Sequence, residues 1–238
     1  MRNLLLISNS TNPGEAYLGW CKELIAGWCK ENNVKTALFI PYAGVTTDWD
    51  TLTGKVQAVF SEFGVEISSI HQQPNAVEAI KNAECIAVSG GSTWNLLAEC
   101  YKQNIVDTIR EKALSGTPYM GWSAGSNLAC PTIKTTNDMP IIEPKSFNAT
   151  NLVPFQINPH YLDAHPAGHG GETREDRIKE FMVINPDVYV AGLREATALV
   201  VKGDNIELVG REKNMRVFKF GQETKEYPLG SDIGFLLK

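Results

Sequence analysis

The sequence predicts an α/β fold: a mostly parallel sheet with helices on both faces, followed by a β-rich C-terminal part. Two observations carry this reading. Up to about residue 130, short apolar runs alternate with segments of helical periodicity, joined by short connections. Beyond about residue 185, the pattern changes to short strand-like runs punctuated by Gly and Asn.

Taken in order, residues 4–7 (Leu-Leu-Leu-Ile) form a continuous apolar run, as expected of a strand buried on both faces. Tyr17, Cys21, Leu24, Ile25 and Trp28 recur at helical spacing. Residues 36–40 are a second strand, closed by Pro41. Leu52, Val56, Val59, Phe60 and Phe63 mark a second helix, with Gly64 as its stop. A weaker strand at 65–67, a short helix at 76–81 and a fourth strand at 85–88 follow. Gly90-Gly91-Ser92-Thr93 closes that strand, and Trp94, Leu97, Ala98 and Tyr101 open a helix. Ile105, Ile109 and Leu114 continue its periodicity to Gly116. Residues 118–122 are a fifth strand.

Residues 131–171 are rich in Pro, Asn, Gly and His and weakly periodic. An internal stretch of this length reads as functional loop. Residues 174–183 are a helix capped by Thr173, and residues 188–191, 198–201, 206–209, 217–220 and 226–229 are short strands. Without a repeat or linker, residues 1–238 are expected to form one domain.

A net charge of −5 with no basic cluster argues against nucleic-acid binding. No apolar run approaches the roughly 20 residues of a membrane helix. No signal-peptide core follows Met1, so a cytoplasmic location is expected. Five cysteines, an odd number without a C-x-x-C pair, read as buried free thiols of a reducing compartment.

The segment with the strongest chemical content is Gly121-Trp122-Ser123-Ala124-Gly125, a G-x-S-x-G between a predicted strand and a predicted helix. That context makes a nucleophile elbow, in which Ser123 stands on a tight turn whose flanking glycines, Gly121 and Gly125, remove side chains that would clash. The N–H of Ala124, at the helix start, is then free to bind an oxyanion. A second Gly-rich turn brings Gly91 as the other donor. Serine needs a base. His160, His165 and His169 lie in the irregular stretch, and spacing alone does not choose among them. His160 is favoured because it follows an apolar run and so sits at a strand end. His71 reads as a surface histidine. A metal site would lack any supporting Cys or H-x-x-x-H frame, so neither metal nor organic cofactor is expected. The carboxylate that would orient the base is Asp138 or Glu195, and the residues do not decide between them. Arg174 reads as a clamp for a substrate carboxylate. Residues 8–14 could alternatively hold a phosphate.

Several long motifs in order resemble the peptidase E family of α-aspartyl dipeptidases: residues 121–127, Cys130-Pro131-Thr132-Ile133, residues 135–141, Gln156-Ile157-Asn158-Pro159-His160 and Gly171-Glu172-Thr173-Arg174-Glu175. Residues 4–11 and 39–45 match as well. The resemblance implies a fold similar to class I glutamine amidotransferases (flavodoxin-like), with serine in place of their cysteine. It implies hydrolysis of Asp-X dipeptides through an acyl-enzyme on Ser123, with His160 as base. Asp138 and Glu195 each match a carboxylate assigned beside the histidine, and Arg174 matches the arginine expected to bind the aspartyl side chain. Two departures stand out. Ser89-Gly90-Gly91-Ser92-Thr93 replaces the usual Gly-Gly-Gly-Asn-Thr, which makes Ser92 a candidate substrate-binding position with altered chemistry. Leu193-Arg194-Glu195-Ala196-Thr197 replaces the usual proline and glycine around the glutamate.

The expectation is therefore a serine dipeptidase acting on small Asp-X peptides, with no nucleic-acid or membrane partner. Its oligomeric state is open, with a homodimer as the assembly considered. The alternatives are another serine hydrolase on the same scaffold (β-aspartyl, cyanophycin-type or esterase) and a non-catalytic anion-binding module.

Overall fold

The computed structural model describes residues 1–163, 168 and 170–238. Five parallel strands come first: β1 (Asn3–Ile7), β2 (Thr36–Ile40), β3 (Glu66–Ser69), β4 (Ile86–Val88) and β5 (Tyr119–Trp122). Then come β6 (Gln156–Tyr161), β7 (Val190–Arg194), β8 (Thr197–Lys202), β9 (Asn205–Gly210), β10 (Met215–Phe218) and β11 (Lys225–Tyr227). The larger sheet has the order β3-β2-β4-β5-β1-β8-β9, with β8 and β9 added antiparallel; the smaller has the order β11-β10-β7-β6.

Strand β1 shows how the layers form. Side chains alternate across a pleated sheet. Leu4 and Leu6 therefore enter the core with Ile80 of α3 (Ala76–Asn82), Leu96 and Leu97 of α4 (Thr93–Lys102), Ile109 of α5 (Val106–Leu114) and Leu128 of α6 (Ala124–Leu128). Leu5 and Ile7 pack on the other face with Ile25 and Trp28 of α1 (Lys22–Glu31) and Val56 and Phe60 of α2 (Trp49–Ser61). Every apolar side chain of the run is thus buried, which is why it lacks alternation in sequence. The first core continues without a break into Ile157, Ala191, Leu193, Met215 and Val217 of the smaller sheet.

The helix expected to run to Gly116 is divided into α4 and α5. Asn104 takes a left-handed φ of 55°, a conformation that asparagine tolerates better than most residues, and it ends the first helix. At the C-terminal end, β10 and β11 start earlier than expected, and Pro228, which has no N–H to give, follows β11 directly. Residues 131–155 contain one isolated bridge, Thr132 with Asn148, and otherwise no helix or strand. The helix α7 (Arg174–Ile184) begins at a capping box in which Thr173 and Asp176 bond each other's backbone N–H. All five cysteines are free and buried. Among the described residues no helix is long and apolar enough to cross a membrane.

Candidate active site

The turn at Ser123 follows from the small residues on either side of it. A Cβ on Gly121 would lie 2.5 Å from the Gly125 carbonyl, and one on Gly125 would lie 2.4 Å from the Val88 oxygen. Only glycine lets α6 fold back this closely on β5 and β4. Ser123 itself has φ 53° and ψ −108°, strain that costs about 1–3 kcal/mol. The turn is held by the Ser123 N–H donating to Ile7 O at 3.0 Å, and by Ser126 Oγ lying 2.7 Å from the same oxygen. Tyr119 donates its hydroxyl to Gly125 O at 2.7 Å.

His160 comes from the smaller sheet. The register between β6 and β7 shifts between Pro159 and Tyr161, and His160 takes φ 52° in that irregularity. A bulge of this kind re-aims a side chain that would otherwise follow the pleat. His160 Nε2 lies 2.9 Å from Ser123 Oγ, and Nδ1 lies 2.7 Å from Glu195 Oε1. Both ring nitrogens are thereby taken. Glu195 sits in the tight connection from β7 to β8, where Ala196 carries φ 67°, a left-handed conformation that favours glycine.

Asp138 is not bonded to His160. Its Oδ2 accepts from the N–H of Thr93 at 2.6 Å, at the start of α4, and its carbonyl accepts from Trp94 Nε1 at 3.2 Å. Of the two carboxylates that the sequence left open, Glu195 is the one in contact with the imidazole. Ser92 is also turned away from the cleft: its hydroxyl caps α4 by accepting from the Asn95 N–H at 3.3 Å, and it does not line the cavity over Ser123. Ser89 is fully buried, and its hydroxyl has no hydrogen-bond partner among the described residues.

That cavity has a volume of about 380 Å³, and Gly91, Ser123, Asp138, His160 and Arg174 are among its lining residues. It lies at the small end of ligand sites. Gly91 has φ 135°, and a Cβ there would lie 2.3 Å from Ala43 O. No backbone acceptor takes the N–H of Gly91 or of Ala124 among the described residues. The Ala124 N–H is the first of α6 and has no partner within the helix. Arg174 is half-buried, and desolvation pulls its guanidinium below its ordinary pKa. Among the described residues no carboxylate pairs with it. Arg194 differs: its guanidinium is bonded to Glu226 and Asp163, whose carboxylates push its pKa up, and it lies over the Tyr161 ring at 5.5 Å. This clasp ties the residue before Glu195 to β11 and to the residues that follow β6.

The model of peptidase family S51 matches residues 4–209. The chain belongs to that family. It is 49% identical over 237 residues to a peptidase E of Nostoc sp. strain PCC 7120, covering 100% of this chain and 97% of that one. It is 47% identical over 220 residues to a peptidase E of Escherichia coli O6:K15:H31, covering 92% and 95%. Two solved structures share the fold. A peptidase from an acI-B1 Actinobacterium has a TM-score of 0.70 at 18% identity, covering 97% of this chain and 96% of that one. A putative peptidase E of Listeria monocytogenes EGD-e has a TM-score of 0.63 at 22% identity, covering 88% and 98%. The S51 chain is accordingly a serine-type peptidase on a mixed α/β scaffold.

Two residues of this S51 peptidase carry more of the site than their sequence context suggested. Ser8 Oγ donates to Leu193 O at 2.7 Å and accepts from the His160 N–H at 3.0 Å. Asn9 Oδ1 accepts from the Ala196 N–H at 2.8 Å. The segment that could have been a phosphate loop instead braces the histidine and the glutamate turn. Its signal was position, since it leaves the carboxyl end of β1 beside β5, where sites of open parallel sheets gather. Asn127 Nδ2 and Thr135 Oγ1 both donate to Ile157 O at 2.8 Å and tie α6 and the following loop to β6. His165 and His169 lie outside the described residues. His71 bonds Ser69 and Asp50, away from the cleft. Among the described residues no cluster could hold a metal ion.

Proposed function

We propose that this peptidase hydrolyses dipeptides with an N-terminal aspartate through an acyl-enzyme on Ser123. The observation that carries the reading is the chain Ser123–His160–Glu195 opening on a small cavity that also holds the guanidinium of Arg174, with which no carboxylate among the described residues pairs. Ser123 Oγ attacks the scissile carbonyl while its proton passes to His160 Nε2. Glu195 holds the imidazole in the required tautomer and supports its charge. The N–H groups of Gly91 and Ala124 receive the oxyanion, a role worth about 3–4 kcal/mol for one donor. Collapse expels the C-terminal amino acid as an amine protonated by His160. Water, deprotonated by the same histidine, then attacks the ester and releases aspartate.

Arg174 supplies the charge specificity. A guanidinium already partly stripped of water gains most from a carboxylate, and a neutral side chain would leave it unpaired. Purified protein is offered Asp-Leu, Asn-Leu, Glu-Leu, Leu-Leu and β-aspartyl-leucine, alongside Ser123→Ala and Arg174→Leu. Selective cleavage of Asp-Leu, abolished in Ser123→Ala and weakened through KM in Arg174→Leu, is the expected result. Equal cleavage of Asn-Leu would remove Arg174 from specificity. Preference for the β-linked peptide would move the reading to isoaspartyl chemistry.

A further inference from the structure

No carboxylate among the described residues pairs with Arg174, so its placement rests on the first turn of α7, where it is the first helical residue. The next residue, Glu175, is turned about 100° further around the helix. Its Oε2 lies 3.0 Å from Nη2 of Arg216, a residue of β10 in the smaller sheet. Lys179, one turn along α7, takes Oε1 at 2.8 Å. The guanidinium of Arg216 lies over the Phe218 ring at 5.9 Å, and Phe218 shares an apolar cluster with Ile178 and Met182 of α7. Apolar packing thus holds the body of the helix, and the ion pair holds its start. An exposed ion pair would contribute little. Here the Arg216 and Glu175 side chains are only 29% and 24% exposed, so packing fixes the geometry along with charge.

Arg216 also faces Asp163 and Glu226, at 3.4 and 3.7 Å. Arg194 holds those same two carboxylates at 2.7 to 2.9 Å. The two arginines therefore divide the work. Arg194 secures the residue before Glu195, and the shortest ionic contact of Arg216 is with the residue after Arg174. Recognition of a carboxylate by a guanidinium is demanding in direction, and a small tilt of the first turn is enough to spoil it. We propose that Arg216 is a positioning residue for substrate charge: by holding Glu175 it aims Arg174 into the cavity over Ser123. The proposal rests on the reading of Arg174 as the clamp for the aspartyl carboxylate.

The test measures hydrolysis of Asp-Leu and Asn-Leu by the wild type, Arg216→Met, Arg216→Lys, Glu175→Gln and Arg174→Leu. Methionine keeps an apolar stem over Phe218 and removes the charge. In Arg216→Met, kcat/KM for Asp-Leu is expected to fall about 10- to 100-fold, mainly through KM, the scale of a misplaced positioning group. The preference for Asp-Leu over Asn-Leu falls with it. Glu175→Gln gives a change of the same kind, and adding it to Arg216→Met brings little further loss, because both act through one contact. Arg216→Lys, which keeps a cation for Glu175, recovers part of the activity. Phosphonylation of Ser123 by a neutral fluorophosphonate reports on His160 and Glu195 and does not follow the KM change. Labelling that fell in step with Asp-Leu turnover would place the effect on the relay and overturn the proposal. An unchanged preference in Arg216→Met or in Glu175→Gln would overturn it as well, and should Arg216→Met fail to fold, Glu175→Gln decides alone. Arg174→Leu separates this result from the reading beneath it. Preference lost there but kept in Glu175→Gln refutes the positioning role only. Preference kept in Arg174→Leu, or no cleavage of Asp-Leu by the wild type, refutes the clamp reading and the positioning role together.

Discussion

The imidazole of His160 meets the carboxylate of Glu195 at 2.7 Å, Nδ1 to Oε1, while its other nitrogen faces Ser123. Replacing Glu195 by Gln keeps the shape and removes the charge that supports the imidazolium. The amide also offers an N–H that favours the wrong tautomer. A fall in kcat of about 10²–10⁴ is expected, with KM for Asp-Leu little changed. Steady-state kinetics with a circular-dichroism check on folding measure it; kcat within a few-fold of wild type would dismiss Glu195 from the relay.

Ser8 acts one step further out. Its hydroxyl is the only link described between the His160 N–H and Leu193 O, and His160 holds an unfavourable φ. Ser8→Ala leaves two buried backbone groups without their partner. It should lower stability by about 1–3 kcal/mol and lower kcat more than it raises KM. Chemical denaturation and kinetics on the same preparation test both halves, and a pure stability effect would make Ser8 structural only.

Ser89 offers a change in the opposite direction. Its buried hydroxyl has no partner among the described residues, and its backbone does not need glycine. Ser89→Ala removes an uncompensated polar group at nearly constant volume, and a gain of about 1 kcal/mol is expected. The urea midpoint reads it, and a lower midpoint would mean that the hydroxyl has a partner in solution.

Burial pushes the thiols of Cys21, Cys29 and Cys130 up to about 12, and it pushes those of Cys85 and Cys100 well above the ordinary thiol value too. Folding therefore favours the protonated thiol. The associated stability is complete below the unfolded pKa of about 8.5 and is lost progressively as pH rises through and above it. A disulfide reagent at pH 8 should find essentially no thiol in the native protein and all five cysteines in denaturant. Stability should also decline above about pH 9. Rapid native labelling would contradict the burial.

Much of the fold is legible in the chain because its strands are buried on both faces. Runs such as 4–7 and 36–40 leave no other arrangement than a covered parallel sheet. The break at Asn104 was not legible, since apolar spacing continues across it and the left-handed residue is a local choice that periodicity does not register. At the site, G-x-S-x-G announces Ser123 because the elbow is made by adjacent residues. The partner of His160 is less visible. Asp138 and Glu195 are both loop carboxylates, and the choice depends on how the β7–β8 connection crosses from one sheet to the other. Ser8 and Asn9 act across almost the whole length of the chain, a relationship that no local pattern encodes.

Ser123 follows β5 of the larger sheet, His160 lies on β6 of the smaller one, and Glu195 sits in the connection that crosses between the two sheets. Chain synthesis therefore delivers the reactive groups in sequence. Ser123 leaves the ribosome first, then His160, then Glu195, and β10, which pairs with β7, and β11, which pairs with β10, follow later. A growing chain carries Ser123 before it carries His160 and Glu195, the partners that the proposed mechanism requires. On the proposed mechanism, reactivity arrives only when the smaller sheet has docked on the larger one and brought His160 to Ser123.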